Sequence, residues 1–326
     1  VSTIANILKK PHDKLEIVSF ATHERYAQSL SKINANWYLL HGNPIKEWNA
    51  NYAPLPPNHV LLNNNKVPAN VDPDLVLCQN KASHYPTAVK IAQEYHIPLV
   101  HLEHCLPPPN FVREQFAQYH HLRCDYHIFI SDHSRKAWGF DESNSVVIEH
   151  GIDSDVFCVK NLERQQCVLS CVNDWKNRDV FCGFNLWRQI TGFPSPNQLP
   201  IRVSGDNPGI SQPARSVAEL VTIYNTSAIF LNTSLHSPIP CSLLEGAACG
   251  CAIVSTANCL IPSVFTHEQD ALLSNDPAEL RGYCQRLLNE PEFAREMGLR
   301  ARETVVKRFN LDRFVQDWKQ VLEKVI

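Results

Sequence analysis

Residues 242–258 read SLLEGAACGCAIVSTAN. The start has the spacing of an amphipathic helix, with Pro240 and Ser242 at its beginning and Ser242 as its cap. The side chains then shrink through Gly246, Ala247, Ala248, Cys249 and Gly250, and the run turns into an apolar strand at 252–254. A helix feeding a short apolar strand is the building unit of a parallel α/β sheet. Glu245 falls in the predicted first turn, where a carboxylate can accept two hydrogen bonds from a vicinal diol such as a ribose. A phosphate is also favoured at a helix N-terminus. The small residues would let a ligand or a neighbouring strand approach the backbone. The plainer alternative is a glutamate that complements the helix dipole, followed by small residues that pack helix on sheet.

The same alternation extends in both directions. Strand-like runs lie at 15–20, 37–40, 59–62, 75–78, 98–102, 126–130 and 145–148, with helical patterns at 84–95 and 111–121. After a polar interval at 153–166, strands are expected at 167–172, 201–204, 228–231, 252–255 and 271–273. Helices fit at 179–190, 216–224 and 241–248, and from about 276 to the end. The proline-rich stretches 53–58 and 106–110 read as loops. The expected fold is α/β: two Rossmann-like domains, at about 1–150 and 151–309, facing across a cleft. Ligands in such sheets bind beyond the carboxyl ends of the strands.

The totals exclude several classes. A net charge of −3 over 326 residues gives no nucleic-acid footprint. No apolar run approaches the ~20 residues of a membrane-spanning helix, and VSTIANILKKPHDK at the start lacks a signal-peptide core. A cytoplasmic location is expected, with peripheral membrane contact left open. The 12 cysteines, among them Cys78, Cys124, Cys171 and Cys251, sit mostly in apolar stretches and read as reduced, buried hydrophobes. Asn225 and Asn232 open glycosylation tripeptides that cytosolic placement would silence. Neither the glycine-rich dinucleotide turn nor the P-loop string occurs. The string DSD at 153–155 fits a metal-holding Asp-x-Asp but follows a turn rather than a buried strand.

SPIPCSLLEGAACGCAIVST (237–256) resembles the nucleotide-binding signature of retaining GT-B glycosyltransferases, in particular the family-4 type (glycosyl transferases group 1). EHGIDSDVF (149–157), IPSVFTHEQDALLSNDPAEL (261–280) and RFNLDRFVQDWKQVL (308–322) are similar to further family segments in order and spacing. The likeness is good over about 149–326 and weak before it. It implies that Glu245 binds the ribose of a nucleoside-diphosphate sugar. It also implies that Ser237, Ile239, Ser242 and Leu243 belong to the donor site, the HSPIP turn at 236–240 supplying backbone N–H groups. Ser237 stands where the family usually has a glutamate that contacts the donor sugar. The C-terminal helix, about 310–326, would pack back on the first domain.

The resemblance further implies a basic pair gripping the diphosphate, and Lys176 and Arg178 in NDWKNRD (173–179) are the candidates. Gly205 in SGDNPG (204–209) would lie near the nucleotide, or mark a plain turn. In PLVHLEHCLPPPN (98–110), His104 is chosen as the sugar-contacting imidazole beside Glu103, with His101 as the fallback. Thr22, His23, Glu24 and Arg25 replace the family's glycine-rich loop after the first strand. They would bind a polar acceptor or, with Thr22 as N-cap, start a helix. Ser131 reads as a helix cap.

The expected activity is transfer of a sugar from a nucleoside-diphosphate sugar to a carbohydrate, lipid or protein acceptor, with retention, without metal or other cofactor. Two alternatives stay open. One is an epimerase or phosphorylase on the same fold; the other is a non-catalytic subunit that binds a nucleotide sugar or glycan.

Overall fold

The structure is a computed structural model and describes residues 14–42, 45–62, 66–79 and 81–326. Residues 1–13, which include most of the stretch read above for a signal peptide, lie outside the described residues. The chain divides into two compact units, one running up to Glu149 and including Asp312–Ile326, the other spanning His150–Leu311.

The first unit holds strands β1 (Leu15–Phe20), β2 (Ala35–Leu40), β3 (His59–Leu62), β4 (Leu75–Cys78), β5 (Leu99–Glu103), β6 (Tyr126–Phe129) and β7 (Ser145–Val147). Its helices are α1 (Glu24–Leu30), α2 (Lys81–Tyr95), α3 (Arg113–His121) and α4 (Asp132–Ala137). The strands form one sheet in the order β3-β2-β1-β4-β5-β6-β7, parallel throughout. The order reverses between β1 and β4, which makes the carboxyl ends of those strands the unit's switch point. All four residues of β4 are buried, as expected of a strand covered on both faces.

The second unit holds β8 (Gln165–Cys171), α5 (Asp179–Cys182), α6 (Phe184–Thr191), β9 (Ile201–Ser204), α7 (Val217–Asn225), β10 (Ser227–Asn232) and α8 (Cys241–Ala248). It continues through β11 (Ala252–Ser255), α9 (Ile261–Val264), β12 (Leu272–Leu273), α10 (Pro277–Asn289) and α11 (Pro291–Arg308). The sheet order is β12-β11-β10-β8-β9, again parallel, with its switch point between β8 and β10. Alternation along β10 splits the core. Phe230 faces Leu243, Leu244 and Ala247 of α8, whereas Ile229 and Leu231 face Trp187, Leu280 and Leu287. The closing helix α12 (Leu311–Val325) buries Phe314 and Trp318 in the first unit, where the Trp318 indole lies 3.3 Å from the Tyr26 hydroxyl.

Three sequence expectations change. The helix expected at 179–190 is two helices, because Gly183 (φ +65°) breaks it; a Cβ there would lie 2.1 Å from the Thr233 carbonyl oxygen. Thr22 is not an N-cap: His23 occupies that position of α1, and the Thr22 hydroxyl turns back to the Phe20 carbonyl. The two glycosylation tripeptides are closed by burial, since the Asn225 amide donates to the Cys158 and Val221 carbonyls and the Asn232 amide to Ser255 Oγ. Ser131 does cap α4, accepting from the Ser134 N–H.

Two imidazoles of the first unit give its stability a pH dependence. His59 stacks on Trp37 and His84 on Phe20, and burial pushes both down to about 4. Unfolding returns them to their ordinary value near 6.5. Both therefore stay neutral and harmless above pH 6.5, and stability falls as the pH drops from 6.5 towards 4, because the unfolded chain binds the extra protons. By pH 5 the loss is about 1–2 kcal/mol for each histidine. Urea unfolding at pH 7.5 and pH 5 checks this; in the double variant His59→Phe, His84→Phe the difference should shrink by that amount.

Candidate functional site

The buried glutamate and the small residues of 242–258 serve different ends. Helix α8 starts at Cys241 with Pro240 as N-cap and no side-chain cap, so Ser242 is inside the helix and does not cap it. Glu245 is the fifth helical residue, one turn deeper than the first turn. Its carboxylate is 4% exposed, and Oε2 accepts a 3.0 Å hydrogen bond from the Tyr224 hydroxyl at the end of α7. A buried carboxylate is tolerated only with such partners. Burial, with the nearby Cys171 and Glu245, holds the Tyr224 phenol well above its ordinary value, so it stays a donor. Glu245 also bears electrostatically on Cys171, at the carboxyl end of β8.

The small residues belong to packing. A Cβ on Gly246 would lie 2.9 Å from the Phe230 ring, and one on Gly298 of α11 would lie 2.2 Å from the Gly250 carbonyl oxygen. Ala247 and Ala248 are fully buried in the same core. Close approach of α11 and the sheet, not of a ligand, accounts for the run.

Around the carboxyl ends of β10 and β11 a polar frame forms that the sequence did not single out. Asn232 donates to Ser255 Oγ at 2.8 Å, Ser234 Oγ donates to Asn232 Oδ1 at 2.9 Å, and Thr256 Oγ1 donates to the Ser234 carbonyl at 2.7 Å. All four are buried. The signal was present as polar residues ending two apolar strands, FLNTS and IVST. The loops after β8 and β9 are laced together: the Asn207 amide donates to the Val172 carbonyl, its oxygen accepts from the Trp175 N–H, and Asn173 Oδ1 accepts from the Asp206 N–H.

Of the expected donor residues, Ser237 and Ser242 are half-buried, whereas the side chains of Ile239 and Leu243 lie in the core, leaving them only backbone to offer. The Leu243 N–H already closes on the Pro240 carbonyl, so it is not among the helix-start donors. Gly205 (φ +132°) gives its N–H to the Gln212 carbonyl, and its missing side chain makes room for the Val172 carbonyl. Lys176 and Arg178 are exposed on the β8–α5 loop, and one Arg178 nitrogen lies 3.4 Å from the Asn173 carbonyl oxygen. His150 is buried with Nε2 at 3.6 Å from the Cys241 sulfur. Asp153, the first residue of DSD, accepts from the N–H groups of Asp155 and Val156 and so closes a turn. Among the described residues no group of three or more His, Cys, Asp or Glu side chains is placed to hold a metal ion.

In the first unit, the expected residues separate. His23 and His104 come together, ring centroids 4.3 Å apart, with Tyr26 edge-on to His104 at 4.7 Å. His104 is 9% exposed, and its Nε2 lies 3.1 Å from Gln79 Oε1. Glu24 does not join them as an open acceptor-binding group. It is 4% exposed, paired with Lys46 at 2.6 Å, and accepts from the Asn49 N–H. Thr22 and Arg25 are half-buried beside it. His101, the fallback imidazole, is fully buried in β5 among Glu103, Tyr119 and His127. Glu103 accepts from the Tyr119 hydroxyl and the Cys105 N–H. Burial and the Glu103 charge hold the Tyr119 phenol well above its ordinary value.

Comparison with known proteins fits these features. Residues 188–320 match the family described as glycosyl transferase-like, a stretch that contains Gly205, Ser237 and Glu245 but not Lys176 or Arg178. No curated protein matches the chain by sequence. Among solved structures, Anabaena HepE in complex with UDP and glucose superimposes with a TM-score of 0.74 at 12% identity, covering 95% of this chain and 99% of that one. Sucrose-phosphate synthase from Thermosynechococcus elongatus gives 0.69 at 13% identity, covering 95% and 99%. A glycosyltransferase from Rickettsia africae gives 0.63 at 13% identity, covering 96% and 99%. No helix among the described residues is long and apolar enough to cross a membrane. Taken together, residues 188–320 are similar to the glycosyl transferase-like family, and the fold over nearly the whole length is that of solved glycosyltransferase structures.

Proposed function

We propose that the chain transfers a sugar from a UDP-sugar to a hydroxyl-bearing acceptor, with retention at the anomeric carbon and without a metal ion. The observation that carries this reading is Glu245: a buried carboxylate on α8, inside the family-matched segment, with Oε2 fixed by Tyr224. Its carboxylate is the group that would accept from the ribose hydroxyls. The choice of UDP as the nucleotide is supported by the likeness to HepE, which has been seen with UDP and glucose and with UDP-glucose.

The diphosphate leaving group gathers negative charge as the glycosidic bond breaks, and preorganised donors lower that barrier. Lys176 and Arg178, exposed on the loop after β8, would supply the charge, together with N–H groups at the start of α8. His104 is the imidazole that would contact the sugar, and His23 stands next to it. The leaving phosphate would take the acceptor's proton, so no protein nucleophile is required.

Lys176→Ala and Arg178→Ala should each lower kcat for UDP release about 10–100-fold while leaving the unfolding temperature nearly unchanged, because both side chains are exposed. Normal kcat in both variants would remove them from the diphosphate role.

Ser237, standing where a glutamate contacts the donor sugar in the resembling family, favours a second reading: a subunit that binds the nucleotide sugar without turning it over. UDP release from UDP-hexoses, assayed with a panel of glycan, lipid and peptide acceptors, separates the two. Acceptor-dependent release supports transfer; saturable binding with no release supports the binding subunit.

A further inference from the structure

At the switch point of the first sheet, Gln79 follows β4 and lies buried between β1 and the loop after β5. Its Nε2 is 3.3 Å from the Phe20 carbonyl oxygen and 3.0 Å from Ser19 Oγ, and its Oε1 is 3.1 Å from His104 Nε2. A carbonyl can only accept, so the side of the amide that meets Phe20 must be its NH2. Ser19 agrees, because its hydroxyl proton is committed to the Leu77 carbonyl at 3.0 Å and its lone pairs face Gln79. The amide therefore has one orientation, with its oxygen towards His104. An oxygen accepts only from a protonated ring nitrogen, so His104 carries its proton on Nε2.

We propose that Gln79 is a positioning residue that fixes His104 as the Nε2–H tautomer, which makes Nδ1 the ring's acceptor atom. This rests on the proposed role of His104 at the sugar. A neutral imidazole held this way matches a donor, such as a sugar hydroxyl, rather than a phosphate or carbonyl oxygen. The Tyr26 ring stands edge-on to His104 and is itself held by Phe314, at 5.5 Å, and Trp318 of α12. Among the described residues, His23 and Tyr26 stand edge-on to the ring, Glu103 precedes it in the chain with its carboxylate engaged by Tyr119 and the Cys105 N–H, and His84 stacks on Phe20, whose carbonyl meets Gln79.

Long-range 1H–15N spectra of histidine-labelled full-length protein test this, with the His104 signals assigned by their loss in His104→Asn. At pH 8 the wild type should show a protonated Nε2 and an unprotonated Nδ1. Gln79→Met should give a mixture of tautomers, and Gln79→Glu should raise the titration midpoint of His104 by about one pH unit or more, through the added carboxylate. With UDP-glucose as probe, kcat for UDP release in Gln79→Met should fall about tenfold with KM changed less than twofold. An Nδ1–H tautomer in the wild type, or His104 signals unchanged in both Gln79 variants, would overturn the proposal. Unchanged UDP release in His104→Asn would instead overturn the role of His104, and the proposal with it, even where the tautomer is as expected.

Discussion

Gly205→Ala is expected to destabilise the second unit by roughly 2–6 kcal/mol, of which backbone strain and steric overlap each contribute about 1–3 kcal/mol. Gly205 holds φ at +132°, a region that residues with a Cβ rarely enter, and the added methyl would sit 2.0 Å from the Val172 carbonyl oxygen. That carbonyl cannot retreat cheaply, because it accepts from the Asn207 amide, which also accepts from the Trp175 N–H. Displacing it would disturb the loop that carries Lys176 and Arg178. Differential scanning calorimetry should show the second unit melting roughly 10 °C lower. A melting temperature within 2 °C of wild type would mean that the loops after β8 and β9 are far more yielding than their hydrogen bonds imply.

Glu245→Ala is expected to weaken UDP-sugar binding by about 1–3 kcal/mol, a Kd increase of roughly 5- to 150-fold, through loss of charged hydrogen bonds to the ribose. The substitution also orphans the buried Tyr224 hydroxyl, so part of the damage would appear as lost stability. Glu245→Gln separates the two effects. Its amide oxygen can still accept from Tyr224 while the negative charge is gone, so the fold should hold while affinity falls. Unchanged affinity in both variants would remove Glu245 from the donor site, leaving it a buried partner of Tyr224.

Most of the fold was legible because both sheets are parallel and covered on both faces, so their strands stand out as short apolar runs. Strands β1, β3, β4, β9 and β11 and helix α8 have the predicted bounds. Helix starts were less legible. Thr22 and Ser242 are good capping residues by type, yet the chain enters α1 at His23 and α8 at Pro240, and in neither does a side chain cap. The break at Gly183 depends on a carbonyl fifty residues away, Thr233, which no local pattern reveals.

The candidate site divides the same way. Glu245 was visible as one carboxylate among small neighbours, but the reason for those neighbours, the Phe230 ring and the Gly250–Gly298 contact, is tertiary. Tyr224 and Gln79, which fix Glu245 and His104, lie 21 and 25 residues from their partners and belong to no local motif. Glu24 looked available in ATHERY (21–26) because its ion-pair partner Lys46 comes from another segment.

Binding of a UDP-sugar without a metal ion is the step on which the proposed transfer depends. Isothermal titration calorimetry of the full-length protein with UDP-, GDP- and ADP-sugars, in EDTA, tests it most directly. The expected result is saturable one-to-one binding of a UDP-sugar that weakens in Glu245→Gln. No binding of any UDP-sugar, or binding that appears only when a divalent cation replaces the EDTA, would contradict it.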